Sequence, residues 1–333
     1  MRKIAVIGAG SWGTTVAAIT ASSTETILWA RREGLARSIN ANHHNPEYVT
    51  ELRLPDKLTA THDLGGAVAG ADVVVMAVPS HGFRDVFTLV AEQLEDRTPI
   101  VSLTKGIEQD TLARMTEIVA DVAKSHDQSL AGALTGPNLA AEIAAGQPAA
   151  AVIAMSDRDT AEDLQRLLMG PSFRVYTNDD VTGCELAGAL KNVMAIASGM
   201  SDGLGFGDNT RATLLTRALA ELSRLGLALG GRPETFAGLA GMGDLIATCS
   251  SDKSRNHQVG VGLASGKALD EIVSEMNMVA EGIKTTKSVL GLADRTGVEM
   301  PIATHVGLVL DGEITPREGV MSLMSREAKA EVL

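Results

Sequence analysis

The sequence is poor in cysteine and in aromatic residues, and it has no long hydrophobic run. Its 333 residues include two cysteines, Cys184 and Cys249, and aromatic residues make up 3% of the chain. Two isolated cysteines form neither a disulfide framework nor a zinc-binding pattern, so we expect no metal site and a reducing, cytoplasmic environment. No apolar run approaches the roughly 18 residues of a membrane span. Since a strand-like segment follows Met1 almost at once, we expect neither membrane insertion nor a signal peptide.

Positive charge is also in short supply. Lysine and arginine number 29 against 41 aspartates and glutamates, which gives a net charge of −12. This balance disfavours nucleic acids and anionic membranes as partners. An anionic small molecule would therefore need basic residues gathered around it locally. The length of the chain and its 45% hydrophobic content are typical of a soluble protein of about two domains.

Glycine is abundant, and near the N-terminus it forms a motif. A strand-like run from Lys3 to Ile7 leads into Gly8-Ala9-Gly10-Ser11-Trp12-Gly13 and then into a helix-like run. In this setting Gly8 permits a tight turn, Gly10 lets a pyrophosphate approach the backbone, and Gly13 lets helix and strand pack closely. The start of the helix offers free N–H groups and the positive end of its dipole. The motif therefore predicts a dinucleotide site.

The residues after the second predicted strand, 25–30, indicate which dinucleotide binds. Proteins that bind NAD usually place Asp or Glu there to hold the ribose 2′-hydroxyl. This chain instead has Arg31 and Arg32, which suit a 2′-phosphate, and Trp29 or an arginine plane could stack on adenine. The alternative is a basic surface turn. We expect NADP(H) to be the preferred cofactor, with NAD(H) left open.

Strand-like and helix-like runs alternate in the first half of the chain, whereas only helix-like runs follow Gly207. Residues 40–58 read as a polar loop that contains Tyr48. Further strands are predicted at 71–78, 100–103, 129–134, 149–154 and 173–177. We expect an α/β N-terminal domain with a Rossmann-type doubly wound sheet, residues 1–182, and an all-α C-terminal domain, residues 183–333.

The segment 185–209 joins the two patterns and contains one lysine among apolar and small residues. At helical spacing, Lys191 shares a face with small residues such as Gly188 and Ser198. The ordinary explanation is a lysine that extends to solvent from a partly exposed helix. The small neighbours leave room for a backbone or a ligand, and a glycine-rich stretch follows. These features favour a ligand site.

Three other candidate residues lie after strands or beside helices. Lys105 follows the strand at 100–103, where a ligand role and a surface-loop role fit the spacing equally well. Asp244 stands on a glycine-rich turn, which is a common position for aspartate. Asn138 is placed to cap a helix that begins at residue 139, near N–H groups that could hold an anion.

The segment Ser254-Arg255-Asn256 is the best predicted phosphate site. Ser254 reads as a helix N-cap, with Arg255 and Asn256 in the first turn. A basic residue there opposes the helix dipole, which makes sense if an anion is bound between them. Further along, Thr315-Pro316-Arg317-Glu318 is a capping box that begins the last helix.

Segments along nearly the whole chain resemble, in order, the bacterial-type NAD(P)-dependent glycerol-3-phosphate dehydrogenases. They are GAGSWGT, LWARR, AVPS, TKGIE, TGPN, FRVYTN, GALKN, DGLGFGDN, GLAGMGDL, SRN and MVAEG. The resemblance implies reversible reduction of dihydroxyacetone phosphate to sn-glycerol 3-phosphate, which supplies glycerophospholipid synthesis. It leaves the oligomeric state open, a homodimer being one option.

The resemblance also implies a role for each candidate. Lys191 would transfer the proton, with Lys105 and Asp244 beside it, and burial together with the second lysine would lower its pKa. Residues expected to bind substrate are Lys105, Gly136, Asn138, Lys191, Asp244, Ser254, Arg255 and Asn256. Residues expected to bind the cofactor are Gly8, Gly10, Ser11, Trp12, Gly13, Arg31, Arg32, Tyr48, Lys105, Ala140, Arg255, Val279 and Glu281. Asn138 departs from the family, which usually has Ser or Thr there, so its substrate contact is left open.

Two other functions compete with this one. A β-hydroxyacid or ketopantoate reductase also places a lysine near its domain junction, but lacks the adjacent Lys191-Asn192 together with Ser254-Arg255-Asn256. A non-catalytic NADP(H) sensor would have no need for Lys191, Asp244 and a phosphate pocket together.

Overall fold

The computed structural model describes residues 3–276, 280–328 and 330. The first half of the chain is built on one eight-stranded sheet. The strand order is β3-β2-β1-β4-β5-β6-β7-β8. The strands are β1 Lys3–Ile7, β2 Glu25–Trp29, β3 Leu58–Thr61, β4 Val73–Met76, β5 Ile100–Ser102, β6 Ala131–Thr135, β7 Ala149–Ala154 and β8 Phe173–Asn178. All neighbouring strands pair parallel except β6 and β7, which pair antiparallel. The predicted doubly wound sheet is confirmed, with β7 and β8 reversed relative to the rest.

Helices cover both faces of this sheet. In the first half they are α1 Ser11–Ala21, α2 Glu33–Asn42, α3 Leu64–Val68, α4 Phe83–Ala91, α5 Met115–Val122, α6 Ala140–Ala144 and α7 Arg158–Leu168. Ile4 and Val6 of β1 enter a core with α1, α2 and α7. Their neighbours Ala5 and Ile7 enter a second core with α4 and α5. Because both faces are covered, the strands are continuous apolar runs, which is the pattern expected of a buried parallel sheet.

The second half is helical. Its helices are α8 Val181–Gly203, α9 Asp208–Ala228, α10 Pro233–Ala237, α11 Asp244–Cys249, α12 Arg255–Ala264, α13 Leu269–Glu275, α14 Glu281–Thr296, α15 Pro301–Leu310 and α16 Pro316–Met324. No strand occurs beyond Gly207 in the described part of the chain, as predicted. The capping box at Thr315 is confirmed, because its hydroxyl accepts a hydrogen bond from the Glu318 N–H while the Glu318 carboxylate accepts one from the Thr315 N–H.

Helix α8 lies at the centre of the helical half. Its side chains are buried without a break from Gly183 to Ser201, and a helix that is buried all round belongs to the interior of a protein. It meets α12 through backbone contacts that only glycine allows. A Cβ on Gly199 would lie 1.9 Å from the carbonyl oxygen of His257, and one on Gly260 would lie 2.1 Å from that of Ile196. This contact fixes the first turn of α12 relative to α8.

Two local predictions were wrong. The supposed polar loop 40–58 is shorter, since α2 extends to Asn42 and Leu58 begins strand β3. Trp29 does not offer its ring to a ligand. It is buried in the core, and its indole N–H donates to the carbonyl oxygen of His62 at 3.0 Å. Across the described ranges, no helix is both long enough and apolar enough to traverse a bilayer.

Candidate active site

The glycine-rich turn between β1 and α1 has the geometry of an anion cradle. Gly8 has φ +124°, and a Cβ there would lie 2.5 Å from the carbonyl oxygen of Ala77. A Cβ on Gly13 would lie 2.0 Å from the Gly8 carbonyl oxygen, whereas one on Gly10 would meet nothing within 4 Å. No side-chain hydrogen bond caps α1 at its N-cap residue, Gly10, and the N-terminus of a helix favours an anion. The turn fits the pyrophosphate of a dinucleotide.

A loop after α2 is tied to this turn by a fully buried asparagine. The side-chain amide of Asn45 donates to the Ala9 carbonyl oxygen and to the Thr14 hydroxyl, both at 2.9 Å. Its oxygen accepts from the N–H groups of Glu47 and Tyr48 at 3.1 and 3.2 Å. The backbone of Tyr48 therefore lies close to the glycine turn.

The two arginines after β2 lie at the same edge. Arg31 and Arg32 are both exposed, and the Arg32 guanidinium forms an ion pair with the carboxylate of Glu47. This carboxylate and its hydrogen bond hold the pKa of Arg32 above its usual value. Trp12, on the first turn of α1, packs edge-to-face on Phe173, with ring centroids 6.3 Å apart.

Two lysines meet one aspartate where the sheet adjoins the helical half. Lys191 Nζ lies 2.8 Å from Asp244 Oδ1, and Lys105 Nζ lies 2.5 Å from Asp244 Oδ2. Lys191 also donates to the hydroxyl of Thr248 at 2.5 Å, and Lys105 donates to the carbonyl oxygen of Gly136 at 2.9 Å. The side chains of Lys191 and Asp244 are 8% and 2% exposed. Lys191 is therefore not a lysine that extends to solvent from a partly exposed helix, and Lys105 does not lie in a surface loop.

The electrostatics of this cluster follow from burial and from the pairing of charges. Burial lowers the pKa of Lys105 to about 8, with the Lys191 ammonium acting in the same direction and the Asp244 carboxylate against it. Burial alone would raise the pKa of Asp244, but the two ammonium groups outweigh it and hold that pKa below its usual value. The cluster thus contains a lysine that titrates close to neutral pH beside a carboxylate that stays ionised.

A chain of amides links the cluster to α12 and α14. The Asn192 side chain donates to the Lys105 carbonyl oxygen at 2.9 Å, and Asn256 donates to the Asn192 side-chain oxygen at 3.0 Å. The oxygen of Asn256 accepts from the Gly282 N–H at 2.9 Å. These contacts place the first turn of α12 beside the two lysines. Asn192 enters the sequence pattern only as the neighbour of Lys191, and Thr248, one helical turn beyond Asp244, was not predicted.

The small-residue face of α8 is used mainly by the protein itself. A Cβ on Gly188 would lie 3.1 Å from Thr135 Oγ1 and 3.4 Å from Lys105 Cγ. The Ser198 hydroxyl donates to the carbonyl oxygen of Cys249 at 3.0 Å. The small residues of α8 therefore allow a close approach, as predicted. The groups that approach are Lys105 and neighbouring helices.

The predicted phosphate segment has the expected local structure. Ser254 is the N-cap of α12, where its hydroxyl accepts from the His257 N–H at 3.3 Å. Asn256 is buried, whereas Arg255 has an exposed side chain. Desolvation by the surrounding protein lowers the pKa of Arg255, and the Glu281 carboxylate and the Tyr48 phenol act against it. The surroundings of Arg255 thus connect the phosphate segment to residues expected at the cofactor.

Glu281 and Ser80 connect the helical half to the end of β4. Glu281 begins α14, and its carboxylate accepts from the N–H and the hydroxyl of Ser80, at 3.1 and 2.5 Å. Ala140 is the first residue of α6. Val279 lies outside the described residues.

Asn138 does not cap α6, and Asp244 is not on a loose turn. Leu139 is the N-cap residue of α6, and the Asn138 amide donates to the Ala150 carbonyl oxygen of the adjacent β7, at 3.1 Å. The side-chain oxygen of Asn138 is buried and accepts no hydrogen bond from any described residue, so it can accept one from a ligand. Asp244 begins α11 directly after a π-helical turn, Leu239–Gly243.

Comparison with known proteins identifies the family. The family model of the NAD-dependent glycerol-3-phosphate dehydrogenase N-terminus matches residues 3–161, and that of the C-terminus matches residues 180–321. The chain is 53% identical to glycerol-3-phosphate dehydrogenase [NAD(P)+] 2 of Sphingopyxis alaskensis, over 97% of this chain and 96% of that protein. It is 49% identical to glycerol-3-phosphate dehydrogenase [NAD(P)+] of Thermobifida fusca, over 99% of each.

A solved structure agrees with both sequence comparisons. The crystal structure of glycerol-3-phosphate dehydrogenase from Coxiella burnetii superposes with a TM-score of 0.93 at 36% identity, covering 98% of this chain and 99% of that one. The two family models together span both the sheet and the helical half. The chain therefore belongs to the NAD-dependent glycerol-3-phosphate dehydrogenase family.

Proposed function

We propose that this protein catalyses the reversible reduction of dihydroxyacetone phosphate to sn-glycerol 3-phosphate with NAD(P)H. The observation that carries this is the buried Lys105–Asp244–Lys191 cluster between a dinucleotide-type glycine turn and the first turn of α12. Membership of the family and full-length relatives named glycerol-3-phosphate dehydrogenase [NAD(P)+] support the reaction.

Lys191 is the proton donor in the reduction and the proton acceptor in the oxidation. Negative charge develops on the carbonyl oxygen as the carbonyl is reduced, and a buried ammonium group stabilises that oxygen and can give it a proton. Asp244 and Thr248 hold the Lys191 ammonium in position, at 2.8 and 2.5 Å. Burial lowers the pKa of Lys105 to about 8. We assign Lys105 as the second cation beside the oxygen.

The glycine turn holds the pyrophosphate of the cofactor, and Arg31 and Arg32 face the 2′ position of its ribose. A bound nicotinamide dinucleotide supplies the hydride. NADP(H) is the preferred form because both arginines follow β2, where NAD-binding proteins usually have an acidic residue. Other cofactor contacts are assigned to Gly8, Gly10, Ser11, Trp12, Gly13, Tyr48, Lys105, Ala140, Arg255, Val279 and Glu281.

The substrate phosphate binds at the first turn of α12. Ser254 and Asn256 are buried there, and Arg255 provides the positive charge. Asn138 adds a contact through its side-chain oxygen, which can accept a hydrogen bond from a substrate hydroxyl. Gly136, whose carbonyl oxygen holds Lys105, completes the wall on this side.

Several broader assignments belong to the same proposal. The domain boundary is assigned between residues 182 and 183, in the first turn of α8, which begins at Val181. The protein works in the cytoplasm, which suits two buried, unbridged thiols, Cys184 and Cys249. Its product supplies glycerophospholipid synthesis, and the working unit is a homodimer.

The reaction is tested by following the oxidation of NADPH and of NADH with each of two substrates. We expect turnover with dihydroxyacetone phosphate and none with ketopantoate. Turnover with ketopantoate alone would instead support the related reductase. Tight NADPH binding without turnover on either substrate would support the non-catalytic sensor.

A further inference from the structure

We propose that the Glu47 carboxylate lies at the 2′ position of the adenosine ribose and limits the preference of this enzyme for NADPH over NADH. The inference rests on the proposed function, since it assumes that a dinucleotide binds at the glycine turn. Arg32 follows β2, where such cofactors are distinguished. Its guanidinium forms an ion pair with the Glu47 carboxylate. Dinucleotide-binding proteins usually have either an acidic residue or an arginine near the 2′ position. This chain has both, Glu47 and Arg32.

The position of Glu47 is fixed by the loop that carries it. Two residues earlier, fully buried Asn45 binds the Ala9 carbonyl oxygen in the glycine turn and also accepts the Glu47 N–H. Two residues later, Val49 has φ +49°. That conformation is unfavourable for a β-branched residue and persists only where the surroundings impose it. The carboxylate is thus presented to Arg32 by an anchored loop.

The two cofactors would meet different chemistry at this pair. The 2′-hydroxyl of NADH can donate a hydrogen bond to the Glu47 carboxylate while Arg32 keeps its partner. The 2′-phosphate of NADPH must take Arg32 away from Glu47 and then lie beside a group of like charge. Arg31, also exposed at this edge, attracts the phosphate in either case. The Glu47 carboxylate therefore counteracts the attraction of the two arginines for the 2′-phosphate. As a result, the affinities for NADPH and NADH become more similar.

The test is equilibrium binding of NADPH, NADH and 2′,5′-ADP to the wild-type protein and to Glu47→Gln, measured by calorimetry. We expect Glu47→Gln to tighten NADPH and 2′,5′-ADP by about fivefold, the upper range for an exposed ion pair. NADH should bind no better, because the amide oxygen of glutamine can still accept a hydrogen bond from the 2′-hydroxyl and no charge repulsion is relieved. Glu47→Asp, which keeps the charge, should stay closer to wild type than Glu47→Gln.

Glu51→Gln is the matched control, because Glu51 is exposed on the same loop and its loss changes the net charge equally. A similar gain for NADPH in Glu51→Gln would mean that overall charge, and not the contact with Arg32, is responsible. An unchanged ratio of NADPH to NADH affinity in Glu47→Gln, with both cofactors binding the wild type, would overturn this inference alone. Failure of the wild type to bind either dinucleotide would overturn the proposed function as well.

Discussion

The charged residues at the centre of the molecule and those at its edge differ chiefly in how much water surrounds them. The side chains of Lys105, Asp244 and Lys191 are 16%, 2% and 8% exposed. Those of Arg32 and Glu47 are 59% and 37% exposed. Charges interact strongly in the interior, and removing one leaves its partner buried without compensation. At the surface, solvent screens both the attraction and its loss.

This difference separates two tasks. The interior cluster can hold the Lys191 ammonium group in one position, which the proposed proton transfer requires. The exposed pair can only bias a choice between two similar cofactors. We therefore expect the effect of a substitution on turnover and binding to decrease from the centre outward, and substitutions of Lys191, of Arg255, and of Arg31 together with Arg32 test this order.

The largest effect is expected from Lys191→Ala. Loss of general-acid catalysis typically costs 10²–10⁴-fold, so turnover should fall by about that factor. NADPH affinity should stay near wild type because the glycine turn is formed by β1 and α1. Lys191→Arg should also be inactive, since a guanidinium is bulkier and does not release its proton. Steady-state kinetics and calorimetry measure both quantities.

Lys287→Ala is the surface control for this experiment. The Lys287 side chain is 70% exposed, and its ion pair with Asp311 spans 3.7 Å, so turnover should be unchanged. If Lys191→Ala is folded and turns over within about tenfold of wild type, Lys105 becomes the proton donor. The buried cluster would then still be central, but with the roles of its two lysines exchanged.

Glu221 is a second buried carboxylate and tests what a cationic partner contributes. It lies on α9 and accepts from the N–H groups of Ile302 and Ala303 at the start of α15, at 2.8 and 3.4 Å. Burial raises its pKa from 4.5 to about 7, against these N–H groups and the charges of Arg224 and Arg326. In Asp244, by contrast, two lysines reverse the effect of burial.

The sign of the pH dependence follows from proton binding. Between pH 4.5 and about 7, the native state holds the Glu221 proton while the unfolded chain has lost it. The stabilisation is therefore complete below pH 4.5 and is lost as the pH rises through about 7. The shift corresponds to about 3 kcal/mol in the free energy of unfolding.

Glu221→Gln should remove this dependence, because the amide oxygen can still accept an N–H but does not titrate. Relative to wild type, the variant should gain about 2 kcal/mol in the free energy of unfolding between about pH 5.5 and pH 8.5, measured by urea unfolding. Glu313→Gln, at an exposed position, should show no such gain. If the difference in unfolding free energy between Glu221→Gln and wild type did not depend on pH, the N–H groups at the start of α15 would compensate fully for burial of the carboxylate.

The strand and helix patterns could be predicted because they depend on local periodicity. The glycine turn, the Ser254 cap and the Thr315 capping box are also local, and each was found. Strand β3 was missed because two of its four residues, Leu58–Thr61, are threonines, so it lacks the continuous apolar run that marks the equally short β4. Residues 33–42 gave too few apolar positions to indicate α2.

The site could be predicted only in part because its contacts join distant parts of the chain. Spacing alone could not choose between a ligand role and a loop role for Lys105, since Asp244 lies 139 positions further on. The rule for helix caps failed at Asn138 because α6 begins at Ala140, one residue later than predicted, so that its N-cap position falls on Leu139. Thr248 is a different case, because its helical spacing from Asp244 was visible in the sequence.

Arg255→Ala is expected to have an intermediate effect, because Arg255 begins a helix in the interior but extends to an exposed position. Hydrogen bonds to charged groups contribute about 1.5–3 kcal/mol, so dihydroxyacetone phosphate should bind roughly 10- to 150-fold more weakly. Unphosphorylated dihydroxyacetone, where it reacts, should be affected little. The Michaelis constants for both substrates measure this. Unchanged affinity for dihydroxyacetone phosphate would place its phosphate elsewhere.

The smallest effect is expected at the edge, from replacing both Arg31 and Arg32 with serine. Arg32 must leave the Glu47 carboxylate to bind a 2′-phosphate, and both arginines are exposed to solvent. We therefore expect the Michaelis constant for NADPH to rise by only about tenfold, and less in high salt, while that for NADH changes little. The matched control replaces Arg37 and Arg53, whose side chains are 74% and 82% exposed, and should leave the ratio of the two constants unchanged. An equal rise for NADPH and NADH in the Arg31 and Arg32 variant would contradict a role at the 2′ position. A loss as large as that of Lys191→Ala would contradict the decrease from the centre to the edge.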